Sequence, residues 1–514
     1  MIWDGPVTLL APLVAIGAAM ATHRVVPSLC AGAVVAAVVA NRGDPSAAAS
    51  ALAGYAWSAV FDWDHLRISM FSMAVAATVA LMQASGGTRA LVGLVDHLAR
   101  GRRGAMVSSW LSGLIIFFDD YANCLVVGGA MGPVCDRAGV SRAKLSYIVD
   151  ATAAPVASLA VVSTWVGFET GLIADALAAS GRDPNTAFTL LLDSLPYRFY
   201  SWVTIAFVGA VALTGRDFGP MLAEEVRALR SARSATRDEV FDRARWWAAA
   251  APVAVLVLFT FGLMWGHGYA ALGDAASTAT FSEVLGAADA YGAMLTGSLT
   301  AMGLAFAAAL WLGERPRALL SAASGGARMV LEALAVLYCA WTLGDAVRAS
   351  GAAPYLSSLL ERSLSGELLP AATYVVAVVI SFATGTSFGT MAILTPLVVP
   401  LAVGLDGGVG YILAGTTGAV LAGSCMGDHA SPISDTTVLS ALGSGVDLMT
   451  HVRTQLPYAV SAGVIALVVG HIPAGYGIPP LSCNLAALSA CFAMVQLLGR
   501  RPEEVEPELA PPTG

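Results

Sequence analysis

Two adjacent carboxylates, Asp119 and Asp120, stand inside the apolar run GLIIFFDDYANCLVVGG, with Asn123 three residues on. An ionised carboxylate at the centre of a bilayer costs roughly 2.5–3.5 kcal/mol on insertion scales, so a neighbouring pair is costly if it serves packing alone. Hard cations take oxygen ligands, and two carboxylates held side by side resist carrying two charges together, so a proton and a cation compete for them. That competition is the elementary chemistry of cation/proton exchange. The plain alternative is a pair turned into a solvated loop.

Three further interruptions carry polar groups. In DATAAPVAS, Asp150, Thr152 and Ser158 surround Pro155, which removes a backbone donor and disfavours helix at Ala154, freeing carbonyl oxygens that can coordinate a cation. Asp150 also reads as an ordinary helix-end residue, and Glu169 in STWVGFETG reads either as a helper in conduction or as one end of a structural hydrogen bond. In ISFATGTSFGTMAIL, Thr384, Thr386, Ser387 and Thr390 offer hydroxyls without charge. Its GTSFG string matches the G-x-S-x-G nucleophile elbow, but that motif needs a strand before the turn, and this copy sits between apolar helical arms. The densest polar run, GDHASPISDTT, holds Asp428, His429, Ser431, Ser434, Asp435 and Thr436. One imidazole with no second His or Cys at ligand spacing argues against zinc. His429 relays protons or pairs with a neighbouring acid. An inorganic cation is expected at Asp119, Asp120, Asp428 and Asp435. No Lys or Arg stands in these motifs, so the guanidinium clamp expected of an organic-anion site is missing from them.

The elements that must position these groups follow from composition. Of 514 residues, 57% are apolar and 12% charged, against about 25% charged in ordinary soluble domains, which makes the chain an all-α polytopic membrane protein. A net charge of −8 leaves no basic surface for phosphates, so nucleic acid is excluded as a partner and the lipid bilayer is expected. Seven cysteines (30, 124, 135, 339, 425, 483 and 491) form no C-x-x-C pair and read as buried thiols. The start, Met1-Ile2-Trp3-Asp4, lacks the positive region of a cleavable signal, so the first apolar run is expected to be a retained span.

Apolar runs long enough for about 30 Å of hydrocarbon fall near 7–22, 25–40, 68–85, 145–175, 196–214, 246–266, 287–312, 318–344, 411–441, 454–472 and 481–498, about eleven crossings. Two longer stretches, 104–135 and 368–402, are broken by FFDDYAN and TGTSFGT and read as re-entrant hairpins. Residues 47–61 are taken as interfacial; if they cross, the N-terminus changes sides. Arg100, Arg102 and Arg103 before the first hairpin and Arg137, Arg142 and Lys144 after it put both its ends in the cytoplasm, with the C-terminus. The same count puts both ends of the second hairpin outside. The organisation reads as 1–66 N-terminal scaffold helices, a first repeat 67–214, a cytoplasmic linker 215–245, connecting helices 246–317, a second repeat 318–472, and 473–514 as last helix and tail. Each repeat runs span, hairpin, broken helix, in opposite orientation, and inverted repeats of broken helices are a transporter architecture.

The strings FFDDYANCLVVGGAMGPVCDR, YIVDATAAPVASLAVVSTWVGFETGLI, GTSFGTMAILTPLVVPLA and AGSCMGDHASPISDTTVLS, in this order over most of 104–442, resemble the NhaC family of sodium/proton antiporters within the ion transporter superfamily. The resemblance implies a homodimeric transporter of a prokaryotic inner membrane, exchanging sodium for protons by elevator-type movement of the hairpins. No cofactor is expected beyond the coupling ions, and the chain is not expected to be an enzyme; an intramembrane aspartyl protease is the remaining catalytic reading. The alternative transport reading is a sodium- or proton-coupled carrier of a small carboxylate or amino acid.

Overall fold

A computed structural model describes residues 5–22, 24–94, 99–231, 245–277, 287–351, 365–406 and 410–505, with single positions 279, 284 and 355. Among them there is no strand beyond one isolated bridge between Asp217 and Arg500; the chain is helical throughout. This is the solution the bilayer demands, because a helix satisfies its own backbone polar groups where no water can.

Among the described residues, eight helices are long and apolar enough to cross a membrane: 63–84, 247–272, 290–311, 316–350, 366–384, 387–405, 448–475 and 480–498. The segments Arg142–Leu159 and Thr164–Ala179, bent by 49° at a short break, make a ninth when counted as one span. Seven of the eleven runs expected to cross are among these, 411–441 is divided between Tyr411–Ala430 and Asp435–Ser444, and 366–384 and 387–405 are the arms of the second interrupted stretch. The runs 7–22, 25–40 and 196–214 make the shorter apolar helices Pro6–Ala19, Val25–Ala40 and Phe199–Thr214. Sixteen residues at about 1.5 Å each reach only about 24 Å. Residues 47–61 lie in the helix Pro45–Phe61, whose first turn is capped by the Asp44 carboxylate accepting from Ser46 and Ala47 N–H groups.

All four interruptions fall where the polar motifs lie. The first stretch is helical over Gly101–Ile115, breaks, and resumes at Asp120, passing through a wide π-helical turn at Asn123–Val127 into Gly128–Ala138. The second is helical over Leu369–Thr384 and Ser387–Leu405, with Gly385 at φ +68° turning the chain between them. Each of its arms is long enough to count as a span, whereas the sequence reading expected a hairpin dipping partway. The broken helices run Arg142–Asp150, Ala154–Leu159, Thr164–Ala179 and, in the second half, Tyr411–Ala430, Asp435–Ser444.

The stretch 215–245 is not simply a solvated linker. Residues 219–231 form a helix, and Asp217 and Glu225 are fully buried; positions 232–244 of that stretch lie outside the described residues, as do 407–409 and the tail 506–514. Arg102 ion-pairs with Glu225 and, at 3.3 Å, with Glu503, and donates to Gly139 O at 2.8 Å. Lys144 pairs with Asp217, which also accepts from Tyr458 Oη at 2.8 Å, while Arg216 donates to Gly499 O. Both ends of the first interrupted stretch, the start of 215–245 and the end of the last helix are thereby tied together. All seven cysteines are free; five are buried as expected, but Cys30 is exposed and Cys339 half-buried, their sulfurs 3.7 Å apart.

Candidate functional site

The breaks of the two interrupted stretches share one local solution. Asp119 (φ −159°, ψ 128°) and Thr386 (φ −149°, ψ 124°) are both extended residues that cap the following helix: Asp119 Oδ1 accepts from Ala122 N–H at 2.7 Å, and Thr386 Oγ1 from Gly389 N–H at 3.2 Å. An N-cap oxygen satisfies donors that the first turn of a helix leaves free, which is why an acid and a threonine do the same work here. The next residues then correspond: Asp120 with Ser387, Tyr121 with Phe388.

Each turn reaches both broken helices. From the first, Phe118 O accepts from Thr164 N–H, Asp120 Oδ2 accepts from Trp165 Nε1 at 3.1 Å, and Tyr121 Oη donates to Asp435. Asn123 Nδ2 donates to Gly113 O and Thr152 O at 2.8 and 2.9 Å, closing the hairpin on the first break. From the second, Phe388 packs on Trp165 and Phe168, Ser381 Oγ donates to Ser424 O at 2.7 Å, and Ser431 Oγ donates to Phe382 O at 2.9 Å.

Where these elements meet, a cavity of about 420 Å³ is lined by Asp119, Asp120, Tyr121, Thr164, Thr384, Gly385, Thr386 and Asp435, with Phe168 and Phe388. Asp119 and Asp435 lie close enough to Asp120 to repel its charge, and among the described residues none of the three carboxylates is ion-paired with Lys or Arg. Asp119 and Asp120 are buried, whereas Asp435 is exposed where it faces the cavity. Behind the lining, Asp428 Oδ2 accepts from Thr436 Oγ1 at 3.2 Å, Ser434 Oγ lies 3.1 Å from Thr436 Oγ1, and Ser387 approaches the same carboxylate. The four expected cation ligands do not form a preformed cage: among the described residues no three His, Cys, Asp or Glu converge as metal ligands.

Several expected site residues also make hydrogen bonds within the scaffold. Thr152 Oγ1 donates back to Ile148 O, Thr384 to Ile380 O and Thr390 to Thr386 O, each within its own helix. Ser158 Oγ bonds Pro155 O and Ser201 Oγ, both at 2.9 Å. Glu169 pairs with Arg198 at 3.1 Å, both 1% exposed; Arg198 also donates to Ser158 O. Asp150 is not an unpartnered acid: it accepts from His451, Gln455 and Thr437 away from the cavity lining. His429 Nδ1 bonds Tyr200 Oη at 2.6 Å.

Sequence reasoning missed Trp165, Tyr121, Arg198, His451 and Gln455. The last two stand four apart in the helix Leu448–Ile465, whose first turns also carry Thr450, Arg453 and Thr454; the spacing puts them on one face and was legible. It also missed Arg24, which lines the same cavity from another element, as does Glu332.

The Na+/H+ antiporter family model matches residues 156–471. An uncharacterised Haemophilus influenzae protein is 30% identical over 480 residues, 91% of each chain. The Na(+)/H(+) antiporter NhaC of Alkalihalophilus pseudofirmus is 29% identical over 169 residues, 32% of this chain and 34% of that one. The crystal structure of the Alcanivorax borkumensis YdaH transporter is similar in fold, with 16% identity, a TM-score of 0.54, and coverage of 84% of this chain and 88% of that one. With carboxylates at three of four helix interruptions in an all-helical membrane chain, the chain belongs to the Na+/H+ antiporter family of NhaC type, transporters of the ion-transporter superfamily rather than enzymes.

Proposed function

We propose that the chain is a sodium/proton antiporter whose cation enters the central cavity and is held by Asp119, Asp120 and Asp435, with Asp428 behind them. One observation carries this reading: three carboxylates share a cavity, and among the described residues none of them is ion-paired with Lys or Arg. Charges in a low-dielectric interior must be paired, protonated or bound to a cation, so the site has an unmet demand for positive charge. The matched capping of Asp119 and Thr386 supports an inverted repeat, and the clustering of Arg102, Lys144, Glu225 and Arg500 supports a cytoplasmic face shared by the first hairpin and the C-terminus. A homodimer in a prokaryotic inner membrane, with the hairpins moving as an elevator, is the assembly and cycle this reading takes.

The test is purified protein in proteoliposomes, with internal pH followed as sodium, potassium and candidate metabolites are added in turn. Sodium-driven alkalinisation or acidification against the gradient is expected; no proton movement with any monovalent cation would overturn the reading.

The size of the cavity favours one second reading. About 420 Å³ is many times the roughly 30 Å³ share of one water, and the exposed Arg24 and Glu332 add a charge of each sign to an otherwise acidic and apolar lining. A small carboxylate or amino acid would place its anionic group at Arg24. Uptake of a labelled solute that Arg24→Gln abolishes would establish it.

A further inference from the structure

Three consecutive residues at the start of the helix Asp435–Ser444 each engage a different group. Asp435 accepts from Tyr121 of the first hairpin, Thr436 Oγ1 donates to Asp428 Oδ2, and Thr437 Oγ1 donates to Asp150 Oδ2, the latter two at 3.2 Å. Asp435 and Asp428 belong to the cation site. Asp150 belongs to a second polar centre that does not line the cavity.

That centre is built from four helices. His451 Nε2 lies 3.1 Å and Gln455 Nε2 2.8 Å from Asp150 Oδ2, both from the helix Leu448–Ile465. Gln455 Nε2 also donates to His429 O at 2.7 Å, and His429 Nε2 stands 4.0 Å from the same Asp150 oxygen. Asp150, His429, His451 and Gln455 are each 1% exposed or less. The other titratable groups facing them are Cys124 from the first hairpin, Asp428, Tyr200 and Tyr147, whose ring stacks on His429. His451 Nδ1 has no protein partner.

A buried carboxylate bonded to an imidazole has two charge states that differ by one proton: carboxylate with imidazolium, net neutral, and carboxylate with neutral imidazole, net −1. Loading a cation at the cavity while releasing the proton here leaves the total charge of the core unchanged. The turn Asp435–Thr437 touches both centres, so a shift at one is felt at the other within two residues.

We propose that Asp150 and His451 form the proton site of the transport cycle, separate from the cavity carboxylates that take the cation, and that the turn Asp435–Thr437 couples them. The proposal rests on the cation/proton exchange reading above. In each half-cycle one proton leaves the imidazolium for water as one cation binds, and the reverse step restores it; only an N–H bond is broken and remade.

The experiment uses the full chain, checked for monodispersity, with two readouts: counterflow of labelled against unlabelled sodium in vesicles, and protons released to a pH indicator when sodium is added in detergent. Absence of any sodium-linked proton movement in the wild type would remove the antiport reading and this inference with it. Given that movement, His451→Gln keeps a donor toward Asp150 but cannot titrate, and it is expected to cut proton release at least tenfold while sodium counterflow stays within about twofold. Thr437→Val retains both titratable groups and cuts the link, and it is expected to lower the protons released per sodium. Wild-type proton release and pH profile in both variants would overturn the inference alone, as would parallel loss of counterflow and proton release in monodisperse His451→Gln. If His451→Gln does not purify, unchanged release in Thr437→Val overturns the coupling on its own.

Discussion

Tyr121 and Asp435 stand 314 positions apart, yet the phenol of the first hairpin turn donates its hydrogen bond to the carboxylate that opens the last segment of the second broken helix. The bond joins the two halves of the molecule at the cavity wall, and it holds Asp435 beside Asp120 despite their repulsion. A hydrogen bond to a charged acceptor contributes about 1.5–3 kcal/mol, or roughly tenfold to a hundredfold in an equilibrium. Tyr121→Phe removes it without changing the ring. Uptake of labelled sodium is expected to fall by about tenfold with the fold intact by size-exclusion chromatography; wild-type uptake would show that the cycle does not use the bond.

Asp120 has two features that a single substitution each can separate. Its charge is what the proposed antiport would use to hold the cation, whereas the Trp165 indole N–H donates to it at 3.1 Å. Asp120→Asn is expected to abolish sodium-driven proton movement in vesicles. Trp165→Phe loses one neutral donor to a carboxylate and is expected to raise the sodium concentration for half-maximal transport severalfold while leaving the maximal rate within a few-fold. Equal loss in both would mean that Trp165 supports the fold rather than the carboxylate.

The positions of the four breaks were legible because carboxylates, Gly and Pro stand out against apolar runs, and an unwound backbone needs exactly such neighbours to be tolerated. The partition of those polar residues was not legible. Thr152, Thr384 and Thr390 look alike in a sequence and each donates its hydroxyl to its own i−4 carbonyl, but only the fold puts Thr384 in the cavity lining and leaves the other two out of it. Asp150 and Asp428 look alike as acids before a break, yet only the fold brings His451 and Gln455 to one of them. Arg24 was missed for the same reason: it lies 95 positions from Asp119 by residue number and enters the cavity from a different helix.

The shared capping of Asp119 and Thr386 makes a prediction about the second turn. Loss of an N-cap oxygen costs about 1 kcal/mol, and Ser supplies the same oxygen as Thr. Thr386→Ala is expected to lower the melting temperature of the detergent-solubilised protein by a few degrees and to reduce sodium counterflow, with Thr386→Ser restoring both. Failure of serine to rescue would assign Thr386 to methyl packing instead of capping.

Lys144 and Asp217 form a fully buried pair, each 0% exposed, at the end of the bundle where the first hairpin, the start of 215–245 and the last helix are tied together. Removing one partner of a buried pair leaves the other charge uncompensated and costs about 3–5 kcal/mol, whereas replacing both with apolar groups of similar volume is often close to neutral. Lys144→Met is therefore expected to lower the melting temperature by more than Thr386→Ala does, and the double variant Lys144→Met with Asp217→Leu to regain most of the loss. Tyr458, which donates to Asp217 at 2.8 Å, limits that recovery because its hydroxyl loses an acceptor. Since the pair is not part of the cavity lining, the double variant is expected to transport sodium at a near wild-type rate once folded. A folded double variant without transport would instead make this ion pair part of the moving machinery, and would locate the hinge of the cycle at the root of the first hairpin.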